Sequence, residues 1–378
     1  MIVPEDFAKN VLAGYGLPVP RGRPAETTAE VAQVAQELGG QCVVKALIPT
    51  GGRGKAGGVK LCRSVEQARQ AADELLGNQL LGHTVNRVLV EEIIPLAGEM
   101  YAGVVANTAT DKIDLVLSLA GGVDIENTAQ NDQHSVYLLS LQPGDLLPVH
   151  RVRRWLGENK IDPGLLPELA RTLVALYRAA ADLDAILLEI NPLAIGQDGR
   201  LILLDAKLEV DDNALSRHPE LNNMFVASLS PRELRARKLG VSYVPLDGDI
   251  GVITSGAGLG MATLDLLQQR GLAPANFLDT GGGISEEMVK GAVELILEPP
   301  HIKGAIINLY GGINRMLEAA KGIIAALENI PGDRPLVVKI LGNQQEEAWE
   351  LLEPMPNVHV VRQVQTETAV DLLAQLLS

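Results

Sequence analysis

The 378-residue chain carries 47 acidic against 32 basic side chains, a formal net charge of −15, and is 47% hydrophobic but only 3% aromatic. That balance excludes a disordered tail and a general nucleic-acid binder, which needs a basic face to neutralise phosphates. It also disfavours docking on anionic membranes. At roughly 150 residues per domain, the length implies two to three domains. A core this poor in aromatics must be aliphatic, as in parallel sheets covered by helices. No apolar run reaches the roughly 18 residues of a membrane span. The opening MIVPEDFAKN lacks a basic stretch followed by an apolar one, so a soluble, cytoplasmic protein is expected. Cys42 and Cys62 lie in apolar contexts without metal-ligand spacing and are expected to be reduced core residues.

Apolar periodicity predicts helices over 31–38, 65–76 and 165–181. Short aliphatic runs predict strands over 42–47, 88–92, 101–106, 114–119, 185–190 and 201–204. The Asp198-Gly199 pair predicts a hairpin turn between the last two. Up to about residue 228 this is a mixed α/β pattern with antiparallel pairs. Residues 229–240 turn basic and polar, as a linker would, and the Ser230-Pro231 step begins a short helix there. The rhythm then becomes a clean strand–helix alternation. Strands are predicted at 250–254, 277–278, 304–309, 336–340 and 358–361, and helices at 261–270, 285–297, 317–327, 345–352 and from 367. Five such repeats predict one doubly wound parallel sheet over 241–378.

Three clusters carry chemistry. In the first, a strand ending in Lys45 enters a glycine-rich loop, GGRGKAGGVK at 51–60, that adds Arg53 and Lys55. Glycines let backbone N–H groups approach phosphate oxygens, and the cations supply charge. No Gly-Lys-Ser/Thr opens a helix, so this is not a Walker loop. Alone, the stretch could equally be a hairpin with solvated charges. The second is Glu189-Ile190-Asn191-Pro192 with Asp205. It sets three oxygen donors on neighbouring strands, a set suited to Mg²⁺ bridging nucleotide phosphates. The third, Asp279-Thr280-Gly281-Gly282-Gly283 before a helix, is a potential anion site made of free N–H groups and the helix dipole, or simply a tight turn.

The first two clusters resemble an ATP-grasp domain, and the resemblance then spans the chain. GGRGKAGGVK (51–60), GGVDIE (121–126), EINPL (189–193), LDAKLEVDDNAL (204–215), GAGLGMATLD (256–265), PANFLDTGGG (274–283) and YGGI (310–313) occur in that order. Together they resemble the β subunits of ADP-forming succinyl-CoA synthetase, also called succinate–CoA ligase. The resemblance implies an α/β chain with an ATP-grasp domain at 1–228, a linker at 229–240 and a flavodoxin-like CoA-ligase domain at 241–378.

It also implies a function. Lys45 would bind ATP or ADP phosphates beneath a flap of Gly52, Arg53 and Gly54. Glu91 would lie near the adenine hinge around Ile94, and Glu99 would complete the pocket. Asn191 and Asp205 would ligate Mg²⁺, and Pro20 matches the ATP-type position. Ser255 with Gly312, Ile313 and Asn314 would hold the carboxylic acid. Gly281, Gly282 and Gly283 would face a phosphohistidine carried by a separate α subunit, which also binds most of the CoA. The assembly would be αβ or α₂β₂, acting in the tricarboxylic acid cycle. No catalytic residue is assigned here, because His83, His134, His150, His218, His301 and His359 all lie outside glycine-rich phosphate-binding contexts. Pro49, Ser255 and Asn314 depart from the family pattern. The last two lead to the expectation that malate or citrate is used at least as well as succinate, with Asn314 offering a donor and an acceptor to a hydroxylated acid. A carboxylate–amine ligase is disfavoured by the C-terminal pattern. A catalytically idle nucleotide-binding scaffold is disfavoured by the intact Lys45, Asn191 and Asp205.

Overall fold

The computed structural model describes residues 1–121, 136–330 and 334–378. Most of the motif at 121–126, and His134, lie outside them. The chain divides into two compact units, Met1–Met224 and Phe225–Ser378.

In the first unit, a four-stranded antiparallel sheet runs in the order Gly22–Ala25, Val88–Glu92, Cys42–Ala46, Val59–Cys62. Strand periodicity sorts its side chains. Cys42, Val44, Ala46, Val88 and Val90 pack on helices Thr28–Glu37 and Val65–Leu75, through Val31, Val34, Ala35, Ala68, Ala72 and Leu75. Lys45 and Glu91 alternate out of that set, onto the opposite face. Cys42 and Cys62 sit opposite each other in register, buried and free, as a reduced core pair should be. Thr27 begins the first of these helices with a reciprocal capping box to Glu30.

A second antiparallel sheet of the unit runs Ile2–Val3, Ala206–Val210, Ala185–Gly196, Leu96–Asn107, Lys112–Ser118, Val136–Leu141, with Leu201–Leu203 beside Ala185–Gly196. Helix Leu166–Asp182 buries Leu169, Leu173, Leu176 and Ala180, the three-to-four spacing of a single face. The predicted hairpin forms, with Leu193 opposite Leu203. Ile190 pairs with Ala206. Between these two registers, Asn191 and Asp205 stand across from each other.

The second unit is a six-stranded sheet whose parallel part has the order 2-1-3-4-5, the flavodoxin-like doubly wound arrangement. Alternation again decides the layers. Ile253, Ala305, Ile307 and Val338 face helices Glu286–Leu297, Met316–Leu327 and Gln345–Leu352. Val252, Ile306 and Val337 face Ala257–Gln269 and Thr366–Leu377. One correction concerns the edge, where Ser242–Pro245 adds a short antiparallel strand against Asn276–Asp279. Its half-exposed run ends in proline, as suits an edge, and gives little apolar signal. The stretch read as a linker holds helix Pro231–Leu239, capped by Ser230 and Glu233 and closed by Gly240 at φ 75°.

Strands Ile250–Thr254 and Asn276–Asp279 pair only at Thr254 and Asp279. Asn276 fills the gap with its side chain. Its Oδ1 accepts from Val252 N–H at 3.1 Å and its Nδ2 donates to Val252 O at 2.7 Å. The carboxamide thus replaces a peptide group in a buried ladder. Asn276→Leu should lower unfolding free energy by about 2–4 kcal/mol, since two buried backbone groups lose their partners. Denaturant titration checks this, and a change below 1 kcal/mol, on the order of one surface substitution, would contradict it.

Candidate nucleotide and acid sites

The candidate nucleotide site forms within the first unit, on the sheet face opposite its covering helices. Val43 pairs with Glu91 and Lys45 with Leu89, so Lys45 and Glu91 are diagonal neighbours on one face. Gly22 lies directly across from Glu91. A Cβ there would fall 2.2 Å from Val90 O and 2.9 Å from Glu91 Cγ, so only glycine admits this close strand approach.

Helix Glu5–Gly14 brings two charges that the motifs did not reveal. Glu5 and Lys9 lie one turn apart on its buried face, along with Ala8 and Leu12. Lys9 Nζ donates to both Glu91 carboxylate oxygens, at 2.6 and 2.8 Å, and lies 2.9 Å from Glu5 Oε1. Lys45 Nζ reaches Glu91 Oε2 at 2.8 Å and Glu5 Oε1 at 3.2 Å. Both lysines also donate to the Leu204 carbonyl, at 2.6 and 2.5 Å. That carbonyl precedes Asp205, and Leu204 N–H is itself held by Pro192 O at 3.1 Å.

Arg53 closes the cluster. Gly52, at φ 76°, supports the turn that carries it inward. Nη1 donates to Ala46 O at 3.0 Å. Nη2 spans the Asp205 carboxylate at 2.9 and 3.0 Å and lies 2.7 Å from Glu5 Oε2. The flap arginine and the expected metal ligand are therefore in direct contact. Glu5, Lys9, Lys45, Arg53 and Glu91 are buried, while Asp205 is about a third exposed.

Burial opposes ionisation of Glu5, but Lys45, Lys9 and Arg53 override it and hold its carboxyl well below the usual range. Burial also opposes the Lys45 charge, and Glu5, Glu91 and Asp205 reverse that, raising its pKa. Asp205 moves the other way, pushed up by burial and then by the Glu5 charge.

Of the other expected nucleotide residues, Ile94 and Glu99 lie apart from this cluster. Glu91 turns to the lysines, whereas Ile94 lines a cavity of about 400 Å³ with Pro18, Val19, Arg21, Glu92 and Ile202. Glu99 is exposed on strand Leu96–Asn107, opposite Ala194. Gly54 continues the flap turn. For Mg²⁺, Asp205 and Asn191 are hard oxygen donors of a fitting kind, and Asp205 already holds one positive charge, that of Arg53. Among the described residues, no group of three or more His, Cys, Asp or Glu is set to hold a metal ion.

In the second unit, Ser255 follows strand Ile250–Thr254. Its Oγ accepts from Tyr310 N–H at 2.9 Å and donates to Tyr310 O at 3.1 Å. Gly312 follows one residue beyond Gly311, and Ile313 is 92% exposed. Two of the expected site elements also have partners within the fold. Asn314 is buried, and its Oδ1 accepts from Gly283 N–H at 2.9 Å and Ile284 N–H at 3.4 Å, so this acceptor is spent on the fold. The same bonds, with Asp279 Oδ1 accepting from Gly281 N–H at 2.8 Å, occupy N–H groups expected to be free for an anion. The positive φ values of Gly281 and Gly283 shape the turn, with Gly282 between them, and Ser285 caps the helix by accepting from Met288 N–H.

Comparison with known proteins fits this architecture. Residues 3–195 match the ATP-grasp domain family and residues 253–354 the CoA-ligase family. The chain superposes on ATP citrate lyase from Methanothrix soehngenii with a TM-score of 0.78, covering 99% of each chain at 19% identity, a likeness of fold. An ATP-grasp domain and a CoA-ligase domain in one chain define a nucleotide-dependent acid–thiol ligase subunit. The chain is 44% identical to the GDP-forming succinate–CoA ligase β subunit of Thermus thermophilus, over 92% of each chain. It is 44% identical to the ADP-forming β subunit of Roseiflexus sp., over 91% of this chain and 92% of that one. The Geobacter sulfurreducens ADP-forming β subunit is 41% identical, over 93% and 94%. The chain belongs to the succinate–CoA ligase β-subunit family. Among the described residues no helix is long and apolar enough to cross a membrane.

A carboxyl depressed in the folded state contributes stability that is present above its unfolded pKa and lost as pH falls toward the folded one. Taking about 4.5 for unfolded Glu5, the melting temperature of the native chain should fall from there downward. Glu5→Gln should show a shallower acid limb in thermal melts from pH 6 to about 3. Parallel limbs would mean that the cluster does not hold Glu5 ionised.

Proposed function

We propose that this chain is the nucleotide-handling subunit of a ligase that couples ATP cleavage to ADP and phosphate with acyl-CoA formation from a dicarboxylate. The observation that carries the reading is Lys45, Arg53 and Asp205 meeting in one buried cluster, with Asn191 across the hairpin from Asp205. Lys45 and Arg53 would take the nucleotide phosphates, while the cavity beside Ile94 would receive the base. Adenine is favoured by Pro20, although one of the relatives is GDP-forming. Asp205 and Asn191 would hold Mg²⁺, which would neutralise phosphate charge when bound. Charge stabilisation of this kind is the main demand of phosphoryl transfer.

The phosphoryl group would pass to a histidine on a separate α subunit, which would also hold most of the CoA. The loop of Gly281, Gly282 and Gly283 would face that histidine. An anion arriving there must displace the Asn314 carbonyl or use the N–H groups left over. Succinate is the favoured acid, because the relatives are named for it and Asn314 directs its acceptor oxygen to the loop instead of outward. Ser255, Gly312 and Ile313 would border the acid.

Two outcomes are expected. Asp205→Asn should weaken MgADP far more than metal-free ADP, by about tenfold or more, because the amide keeps the shape and removes a ligand charge. Isothermal titration with and without Mg²⁺ decides this, and equal weakening would remove Asp205 from the metal site. The purified chain alone should bind ADP yet form no acyl-CoA from ATP, CoA and succinate. Turnover should appear once a CoA-binding α subunit is added. Steady turnover by the isolated chain would overturn the subunit reading.

A further inference from the structure

Three carboxylates and three cations meet in the first unit, and two of the six, Glu5 and Lys9, have no role in the reading above. Their geometry gives them one. Glu5 Oε1 lies against both Lys9 and Lys45, and Oε2 lies 2.7 Å from Arg53. The two cations expected to receive phosphate are thus held by a buried anion of this chain. Glu5 Oε2 is buried, and Arg53 is the cation set against it.

We propose that Glu5 is a phosphate surrogate and positioning residue of the nucleotide site. It keeps Lys45 and Arg53 folded inward until phosphate displaces it, and Lys9 is the cation that stays behind. The inference rests on the nucleotide-site reading and deepens it.

Charge conservation within the cluster makes the roles distinct. When Lys45 and Arg53 turn to phosphate oxygens, Glu5 and Glu91 lose partners, and buried carboxylates without partners are strongly disfavoured. Lys9 contacts both carboxylates and the Leu204 carbonyl, so it can hold all three after Lys45 leaves. Arg53 leaves Asp205 in the same exchange, baring that carboxylate for a cation. Phosphate entry is therefore an exchange of ion pairs, with Glu5 opposing it and Lys9 favouring it.

Opposite signs follow for two neighbours on one helix, which a purely structural role would not produce. In calorimetric titrations of the full chain with Mg²⁺-free ADP, Glu5→Gln should tighten binding about tenfold, because the charge-assisted contacts of Glu5 with Lys45 and Arg53 no longer have to be broken. Lys9→Met should weaken it by a similar factor, about tenfold, since Glu91 then has only Lys45, and Glu5 only Lys45 and Arg53, the two cations that phosphate must draw away. The double variant removes one charge of each sign and should bind more tightly than Lys9→Met. If Glu5→Gln fails to fold, as judged by its thermal melt, that comparison decides. Unchanged or weaker binding on loss of the Glu5 charge, measured against the matching background, would overturn the proposal. Lys45→Met tests the site itself. Undiminished ADP affinity there, or no ADP binding by the native chain, would instead refute the nucleotide-site reading.

Discussion

A buried cluster of balanced charge organises the first unit of this protein. Glu5, Lys9, Lys45, Arg53, Glu91 and Asp205 come from a helix, two strands of one sheet, a glycine-rich loop and a hairpin of another sheet. Removing one partner from such a set leaves an uncompensated buried charge, which costs several kcal/mol, about 3–5 for a single pair. The elements are consequently tied to each other by electrostatics as well as by aliphatic packing. That tie is conditional, because a polyanion with a divalent cation can replace its contacts in kind. A core of leucines could fix the same elements but could not exchange partners.

The second unit handles its polar groups differently. Ser255 is saturated by the Tyr310 backbone, Asp279 by Gly256 and Gly281, and Asn314 by Gly283 and Ile284. These are neutral or singly charged contacts that shape loops at the strand ends, where ligands bind in doubly wound sheets. Loop shape is thereby set before any ligand arrives, while exposed Tyr310 and Ile313 stand beyond it. The first unit stores charge for exchange, and the second stores geometry.

Much of this was readable in the sequence, for identifiable reasons. The parallel sheet showed itself because its strands are short aliphatic runs spaced by amphipathic helices. Lys45 and Arg53 showed because a strand ending in a lysine runs into a glycine-rich loop with two more cations, a pattern that the second cluster and the family resemblance turned toward phosphate. Asn191 and Asp205 showed because the Asp198-Gly199 turn fixes the hairpin that sets them opposite. Glu5 and Lys9 did not, since Lys9 meets Glu91 more than eighty residues away and Leu204 further still, while Glu5 meets Lys45 and Arg53 forty or more residues on. Their one local signal, a Glu–Lys pair a turn apart beside Ala8 and Leu12, is the same as that of an ordinary exposed helix pair. Asn276 escaped because a carboxamide standing in for a peptide group leaves no trace in apolar periodicity. Asn314 was visible as an unusual polar residue, but its partner loop, thirty residues earlier, was not.

The most direct measurement is a crystal structure of the chain with MgADP. The account predicts Lys45 Nζ on a phosphate oxygen, Arg53 off Asp205, the metal on Asp205, and Lys9 alone bridging Glu5 and Glu91. ADP bound with the Arg53–Asp205 and Lys45–Glu5 contacts intact would contradict it.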